Sequence, residues 1–566
     1  MKGLMKKLTV LLLALALTLT GVIASGCGPK DSGTKTILNV ANYSGGVGRK
    51  WLDDVEKRFE LAYENVSYEP GKKGVDLKIW HNRNYIGTTL ASSLGNDDVY
   101  FTQEFPQSQV AKLNQLLDLT EFITTRKGSD NKTIFSKFTT EQVSGLKVNN
   151  KYYVIPHYEV FQGVVYDAGV FTNNNYYFAE EIDTDNTYPG TKRFVVDSTE
   201  TKSCGPNGVL GDYDDGLPSS IAEFYKLLDE MKGTVDPFVY AGGHDYYTDM
   251  LTNAIFANIS GADTMRLHLN FGQGVESTKN VARVVTSFDA GARPVVEPTT
   301  ITLDNGYLMR QLEGLYYGVE VAQTVWSDAA YYSANIDEST SHTDAQNEFM
   351  LSGIDGQTNY AAMLIEGNYW YNEANDEEIF KDMMNDFPQT YTYKQPRFMT
   401  MPTQVDGTVT VGNGKAPVLV DNYNSYSFVN ANIDSEKIDL ALDFLSFCYT
   451  DEELVKFTVN TNGICRSLNY DVQAAFSQLT DGHALSLVNM RNQAAAANNI
   501  VRFVSDNGTY NANEKKFKMN TNEYWTTKID NTTYGRPFSA AKNNRSAKEI
   551  FEGMAIAYET WLTMKV

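Results

Sequence analysis

The chain of 566 residues contains few cysteines, few histidines and too few basic residues to balance its acidic ones. Four cysteines with no CxxC pair provide no disulfide framework, although Cys448 and Cys465 could pair. Six scattered histidines argue against a histidine-based metal centre. The 48 Lys and Arg residues against 70 Asp and Glu give a net charge of −22. This charge argues against nucleic acid as a partner, because a polyanion needs a basic face that displaces its counterions.

Sequence motifs of common enzymes are also missing. The chain has no GxSxG nucleophile elbow, no HExxH zinc motif and no GxxxxGK[ST] phosphate loop. Two acidic runs, residues 183–186 and 212–216, resemble calcium loops but lack the EF-hand spacing and its distal glutamate, so we predict solvated turns. We therefore predict no cofactor and no metal. A glycan-degrading enzyme stays an alternative, because it would need only one pair of carboxylates among the 70 acidic residues.

The N-terminus has the pattern of a secretory signal. Three lysines precede an apolar run over residues 8–20, which is shorter than the ~20 residues that span a membrane. The small residues 24–26 then precede Cys27, an arrangement that resembles the bacterial lipoprotein signal, in which this thiol receives a diacylglycerol. We predict a signal peptide over residues 1–26, a lipidated tether over 27–36, and a protein anchored through Cys27 outside the cytoplasmic membrane. The alternative is an ordinary secreted protein.

In the segment after the tether, predicted strands alternate with a predicted helix, as in an α/β fold. Residues 37–41 are predicted to form a strand, and residues 66–68 a second strand. Between them Trp51, Val55 and Phe59 recur every four residues among charged ones, as on the buried face of an amphipathic helix. A strand, a helix and a strand at this spacing form a βαβ unit, so we predict an α/β fold with a mostly parallel sheet.

Several further segments follow one another in an order that is typical of one family. They are residues 51–60, 96–100, 116–120, 150–156 with Tyr166 ten residues later, 359–370, and a helical pair over 434–454. Behind a lipoprotein signal, this order resembles the extracellular solute-binding proteins of carbohydrate ABC transporters, the class that includes maltose-binding protein. The resemblance covers residues 37 to about 468. The chain is longer than most members of the class.

The resemblance implies a two-lobed, type II periplasmic-binding-protein-like fold with a ligand cleft between the lobes. Each lobe is then a mixed, mostly parallel sheet flanked by helices. The first lobe is placed at residues 37–157 plus 412–465, and the second at 158–411 plus 466–566. The implied protein is a monomer, not an enzyme, that captures an oligosaccharide and delivers it to the permease subunits of an ABC importer. A binding lipoprotein for a peptide or another solute is the alternative.

A sugar site needs aromatic rings beside carboxylates and amides, because a pyranose has an apolar face and a rim of hydroxyls that planar polar groups bind. The predicted ligand-binding residues are Trp370, Glu366, Asn368 and Tyr369 after one strand, Tyr158 and Glu159 at the first crossing between lobes, Asp421, Asn422 and Tyr423 at the return crossing, Tyr43, Gln103 and Glu104 at two other strand ends, and Trp326, Asp245 and Tyr246 in aromatic clusters. The family places a stacking tryptophan where Trp370 stands. The alternatives are a packed tryptophan at this position and a hinge glutamate at 159.

Overall fold

A computed structural model describes most of the chain. The described residues are 33–90, 94–184, 187–269, 280–353, 359–376, 394–406, 415–421, 424–503, 519 and 521–564. The predicted signal peptide, Cys27, Asn422 and Tyr423 lie outside them, so those predictions stay as they are. Among the described residues, no helix combines the length and the apolar composition needed to cross a membrane.

Seventeen strands can be followed through these ranges. In chain order they are β1 (Thr36–Asn42), β2 (Val75–His81), β3 (Val99–Thr102), β4 (Ile155–Pro156), β5 (Gln162–Asp167), β6 (Phe178–Ile182), β7 (Lys192–Phe194), β8 (Asp236–Val239), β9 (Val281–Phe288), β10 (Pro294–Thr300), β11 (Ala361–Gly367), β12 (Pro396–Phe398), β13 (Leu419–Asp421), β14 (Tyr426–Val429), β15 (Ile500–Arg502), β16 (Thr527–Ile529) and β17 (Thr532–Tyr534).

The helices alternate with the strands. The longer ones are α1 (Lys50–Ala62), α2 (Ile221–Met231), α3 (Met250–Ser260), α4 (Ala262–Leu269), α5 (Glu313–Ser327), α6 (His342–Leu351), α7 (Ile438–Cys448), α8 (Asp451–Asn460) and α9 (Gly482–Ala496). The shorter ones span Gly87–Leu90, Gln107–Lys112, Thr120–Thr125, Thr140–Gly145, Ala168–Asn173, Asp245–Thr248, Trp370–Asp376, Gln473–Phe476, Asn522–Trp525, Pro537–Lys542, Ala547–Gly553 and Tyr558–Met564.

The first large sheet has the order β2-β1-β3-β14-β4. β1 pairs in parallel with β2 and β3, whereas β14 runs antiparallel to β3 and β4. The predicted helix is α1, which buries Trp51, Val55 and Phe59 as expected. The strand predicted at residues 66–68 is wrong, because this segment has no regular secondary structure and β2 starts only at Val75. The connection to β2 ends at Gly74, whose φ of +81° is costly for residues with a Cβ.

The second large sheet has the order β12-β5-β11-β8. Every residue of β11 is buried, which explains its nearly continuous apolar sequence. β11 pairs in parallel with β8 and antiparallel to β5, and β12 also runs antiparallel to β5. Three of the seven pairings in the two large sheets are parallel, so the sheets are mixed, and the prediction that they are mostly parallel is wrong. The strands of the first sheet lie at residues 36–156 and 426–429, and those of the second sheet at residues 162–398. The exact lobe boundaries stay a prediction.

The chain passes between the two sheets at residues 157–161, from β4 into β5, and returns between β13 and β14. The C-terminal part of the chain reinforces this junction. β15 pairs in parallel with β13, and α9 packs on β12. The sheets are therefore joined by several segments that are far apart in sequence.

Candidate functional site

The first crossing is fixed by hydrogen bonds from both sides. The His157 N–H donates to the carbonyl of Ser425 at 2.9 Å, and the Glu159 N–H donates to that of Cys465 at 3.0 Å. The Asn368 side chain accepts from the Phe161 N–H at 3.0 Å and donates to the Glu159 carbonyl at 3.2 Å. The predicted ligand residue Asn368 thus uses its amide to position backbone at the junction of the sheets.

Asp421, on the return crossing, also binds other residues of the junction between the sheets. Its Oδ1 accepts from the Val160 N–H at 3.2 Å, and its Oδ2 accepts from the Ser467 hydroxyl at 2.9 Å. Burial, together with the charge of Glu159, raises the pKa of Asp421 to about 6. The side chain is 8% exposed, and its oxygens bind residues of the junction.

Glu159 is a buried ion-pair partner in the structure. Its side chain is 0% exposed and accepts from Arg491 Nε at 3.1 Å, from Arg491 Nη2 at 3.2 Å and from Arg502. Burial raises the pKa of Glu159, but the two guanidinium groups outweigh this effect and hold the pKa below its usual value. Both oxygens of the carboxylate are therefore engaged by the protein itself.

Four of the segments that were predicted to bind ligand converge at Gly46. A Cβ on this residue would lie 3.2 Å from Tyr158 Oη, 3.6 Å from Tyr369 Cβ and 3.7 Å from Gln103 Oε1. Its φ of +71° favours glycine, and the approach of Tyr158 Oη leaves little room for a side chain. Tyr158 donates its hydroxyl hydrogen to Gln103 Oε1. Gly46, Gln103 and Tyr158 come from the side of the first sheet, and Tyr369 comes from the side of the second.

An acidic and aromatic cluster surrounds this point, and we call it the cleft group. It comprises Tyr43, Arg83, Gln103, Glu104 and Tyr158 from the side of the first sheet and Tyr247, His342, Glu366, Tyr369 and Glu373 from the side of the second. Burial, with the charges of Glu373 and Glu104, raises the pKa of Tyr43 to about 12. The phenol of Tyr43 therefore keeps its proton and can donate a hydrogen bond at neutral pH.

Glu373 connects the two sides of the cleft group. Its Oε1 lies 3.7 Å from Arg83 Nη1, across the cleft, and 3.5 Å from His342 Nε2 on its own side. Its Oε2 accepts from Gln346 Nε2 at 3.1 Å. The carboxylate is buried, whereas Arg83 is 40% exposed at the rim. This ion pair holds the two sides of the cleft together.

Glu366 contributes a second buried carboxyl at the end of β11. Its Oε1 accepts from the Gly367 N–H at 3.2 Å, and its Oε2 accepts no hydrogen bond from any described residue. Burial and the charge of Glu373 raise the pKa of Glu366 well above its usual value. The same two carboxyl groups, together with burial, raise the pKa of Tyr247. Tyr247 in turn stacks on His342, with 5.7 Å between ring centroids.

Glu104 adds a conformational feature to the group. Its φ of +53° lies in the left-handed region that residues with a Cβ avoid. Such strain costs about 1–3 kcal/mol and is concentrated at functional sites. The side chain is half-buried and acts electrostatically on both Tyr43 and Tyr158, whose pKa values it helps to raise.

The structure does not bring every predicted residue to the cleft. Trp370 is 0% exposed, and its indole packs edge-on against Phe349, Tyr371 and His483, so we correct its predicted stacking role to a packing role. Trp326 is likewise enclosed, 4.4 Å from the Tyr240 ring and 5.4 Å from that of Phe538 between centroids. Neither tryptophan presents a free ring face to a ligand.

The helix Asp245–Thr248 contributes differently from the prediction. Asp245 is 65% exposed and lies 3.7 Å from Arg536 Nε, away from the cleft group. Tyr246 lies beside Tyr247 of the group, with 5.6 Å between their ring centroids. The residues that sequence reasoning missed are His342 and Glu373. Arg83 and Tyr247 belong to the aromatic and polar runs 80–83 and 244–247, which the sequence offers as further candidate clusters without placing them.

Two other predictions from the sequence are settled outside the cleft. Cys448 and Cys465 are both buried free thiols and do not pair. The acidic run at 212–216 is not a solvated turn throughout, because Asp214 is 0% exposed. The physical reason is that this loop folds against α9, where Tyr213 donates to Gln493 Oε1 at 3.1 Å.

Comparison with known proteins gives a result for the fold. No family model and no curated protein sequence matches the chain. Among solved structures, the solute-binding protein RafE of Streptococcus pneumoniae, in complex with raffinose, aligns over 94% of this chain and 100% of its own, at 13% identity and a TM-score of 0.52. The GacH receptor of Streptomyces glaucescens, solved unliganded and with acarbose, aligns over 94% and 100%, at 13% identity and a TM-score of 0.50.

A third similar structure comes from work on xylan utilization by Caldanaerobius polysaccharolyticus. It aligns over 92% of this chain and 99% of its own, at 13% identity and a TM-score of 0.50. These alignments cover nearly the whole of each chain, and the first two proteins are named a solute-binding protein and a receptor. The chain therefore has the two-lobed, type II periplasmic-binding-protein fold of the carbohydrate solute-binding proteins, which confirms the fold that the sequence resemblance implied.

Proposed function

We propose that the chain is the substrate-binding component of an ABC importer and that it captures an oligosaccharide between its lobes. The observation that carries this proposal is the cleft group, in which tyrosine rings and carboxylates from both sheets face one another. Tyr43 and Glu104 supply a donor and an acceptor on one side, and Tyr247 and Glu366 do so on the other. Sugar hydroxyls need both kinds of partner. The structurally similar proteins RafE and GacH were solved with raffinose and acarbose.

Capture is coupled to closure in this proposal. A ligand that contacts both sides of the cleft group favours the closed arrangement by the free energy of its contacts to the second side. The Arg83–Glu373 ion pair acts in the same direction, since it joins the same two sides. The crossing at Glu159 is fully paired and buried, so closure turns around it without exposing a charge.

The remaining parts of the proposal rest on the sequence. Lipid attachment at Cys27 would hold the protein at the extracellular face of the cytoplasmic membrane, where the permease subunits receive the cargo. The protein would act as a monomer without cofactor, and ATP would be hydrolysed by another subunit. Radiolabelled palmitate that is incorporated into the wild-type chain but not into a Cys27→Ala variant tests the anchor.

A thermal-shift screen followed by calorimetry tests the sugar assignment. Ligand at 100 times its Kd should stabilise the protein by ~2.7 kcal/mol. We expect neutral oligosaccharides to raise Tm and a library of peptides to leave it unchanged. Tyr247→Ala should weaken binding by at least ~10-fold. Tyr534→Ala, at a partly exposed tyrosine on β17 outside the cleft group, is the matched control and should not. Stabilisation by peptides and by no glycan would contradict the proposal.

An assay for turnover separates binding from glycan degradation. The purified protein is incubated with each glycan that shifts Tm, and reducing ends are counted. We expect no new reducing ends, although Glu366 is an acid with a raised pKa beside Glu373. Release of sugars that stops in a Glu366→Gln variant would instead identify an enzyme.

A further inference from the structure

A cluster of three carboxylates lies in the loop before α2, outside the cleft group. Asp212, Asp214 and Asp215 each offer an oxygen, and these oxygens all lie within 4.8 Å of one another. The loop reaches α9, because Gln493 Nε2 donates to Asp212 Oδ2 at 2.9 Å. Three acidic groups in proximity are common on protein surfaces and do not by themselves make a site.

The burial of Asp214 distinguishes this cluster from a solvated one. Its side chain is 0% exposed, and its Oδ1 accepts no hydrogen bond from the part of the chain that the structure describes. Oδ1 of the half-buried Asp215 is likewise buried and without a donor. Buried polar atoms are nearly always paired, so two orphaned carboxylate oxygens in one cluster indicate a missing partner.

The charge of the cluster is compensated only in part. No described lysine, arginine or histidine forms an ion pair within 4 Å with any of the three carboxylates. The charge of Lys202 acts on Asp215 from a greater distance, and its Nζ lies 3.1 Å from the centroid of the Tyr177 ring. Buried carboxylates in proteins are paired, protonated or bound to a metal.

The other oxygens of the cluster are held in place by donors that cannot neutralise charge. Asp212 Oδ2 accepts from Asn207 Nδ2 at 2.8 Å as well as from Gln493. Asp215 Oδ2 accepts from the Gly211 N–H at 2.7 Å, and Asp214 Oδ2 accepts from the Asn207 N–H at 3.3 Å. Such contacts orient carboxylates toward a shared cation, as they do around metal ligands in general.

We propose that Asp212, Asp214 and Asp215 bind a calcium ion. Calcium takes carboxylate oxygens at ~2.3–2.6 Å, so two oxygens bound to one ion can be up to about 5 Å apart, which matches the cluster. Magnesium binds at ~2.0–2.1 Å with strict octahedral geometry, whereas calcium tolerates irregular sets of carboxylate oxygens. The ion would tie the loop to α9, the helix whose Arg491 pairs with Glu159 at the crossing.

Thermal unfolding of the purified protein in EGTA and in 10 mM Ca²⁺ or Mg²⁺ (about 10 to 100 times the Kd of weak calcium modules) tests the proposal. We expect Ca²⁺ to raise Tm by roughly 1–2 °C and calorimetry to show one ion per chain. Asp214→Asn and Asp215→Asn should each abolish this shift. Asp214→Asn should not lower Tm in EGTA, because it removes a buried charge that lacks a partner. Asp439→Asn, at an exposed aspartate, is the matched control and should keep the full shift.

Each contrary result overturns the assignment. A Tm that Ca²⁺ does not change would show that no ion binds, and an equal response to Mg²⁺ would show that the site is not selective for calcium. A full calcium shift in both the Asp214 and the Asp215 variant would place the ion elsewhere. If Asp214→Asn fails to fold, the half-buried Asp215→Asn variant decides the outcome alone.

Discussion

Replacement of Glu159 by glutamine tests the assignment of this residue to the crossing rather than to the ligand. Glu159 is 0% exposed, and its partners Arg491 and Arg502 are only 7% and 9% exposed in their side chains. The variant keeps the shape of the side chain but removes the buried carboxylate that Arg491 and Arg502 share. Removal of one partner from a buried ion pair costs about 3–5 kcal/mol. We expect a loss of this size in the free energy of unfolding.

Urea unfolding at several pH values measures this effect. The pKa of Glu159 is lowered by folding, so its contribution is complete above its usual pKa of 4.5 and is lost as the pH falls through the folded-state value. The difference in the free energy of unfolding between the wild type and Glu159→Gln should therefore be constant near neutral pH and decrease in acid. Glu200→Gln is the matched control, because Glu200 also pairs with an arginine, Arg193, but at the surface. The loss in the free energy of unfolding caused by Glu200→Gln should be much smaller than that caused by Glu159→Gln.

A Glu159→Gln variant with the stability of the wild type and no affinity for sugar would refute this reasoning. Such a result would return Glu159 to the ligand, which was the prediction from the sequence.

Three further substitutions test other parts of the structure. Trp370→Ala should lower the free energy of unfolding in urea by about 3–5 kcal/mol, because the indole is fully buried. Trp80→Ala, at a half-exposed tryptophan, should change it little. Equal losses in the two variants would contradict the packing of Trp370. Folding raises the pKa of Asp421 to about 6, so ionisation of this carboxyl destabilises the wild type. The stability of Asp421→Asn relative to the wild type should therefore rise by up to about 3 kcal/mol between pH 4 and pH 7. A difference in stability that does not vary with pH would exclude the raised pKa. Arg83→Ala should lower ligand affinity about fivefold or less in calorimetry, since the ion pair is partly exposed, and a loss of all binding would show that Arg83 contacts the sugar.

The parts of the site that the sequence could predict are those at strand ends. Tyr43, Glu104, Tyr158 and Tyr369 each follow or join a strand that reaches the junction of the sheets, and the structure brings them together. In α/β sheets, ligand sites form where strand ends meet at such junctions. The position of a residue at the end of a strand was sufficient for this prediction, because it can be read from the sequence without knowing which side chains the residue contacts.

The residue roles that were wrongly predicted from the sequence depend on partners that are distant along the chain. Asn368 bonds backbone 207 residues away, and Glu159 pairs with an arginine 332 residues away. A carboxylate or an amide in a suitable motif looks the same whether its partner is a sugar or another part of the chain. His342 and Glu373 were missed for the same reason, since their closeness follows only from the packing of α6 beside the helix Trp370–Asp376.

The ion pair of Glu159 also sets the order in which the protein can be completed. Arg491 and Arg502 are synthesised 332 and 343 residues after Glu159. At ~5–20 residues per second, a ribosome needs roughly 20–70 s to add them. Until then the crossing would bury a carboxylate without a counter-ion, so neither half can finish folding on the nascent chain. If the chain carries the proposed signal peptide, this delay would keep it unfolded while it passes through a translocation pore.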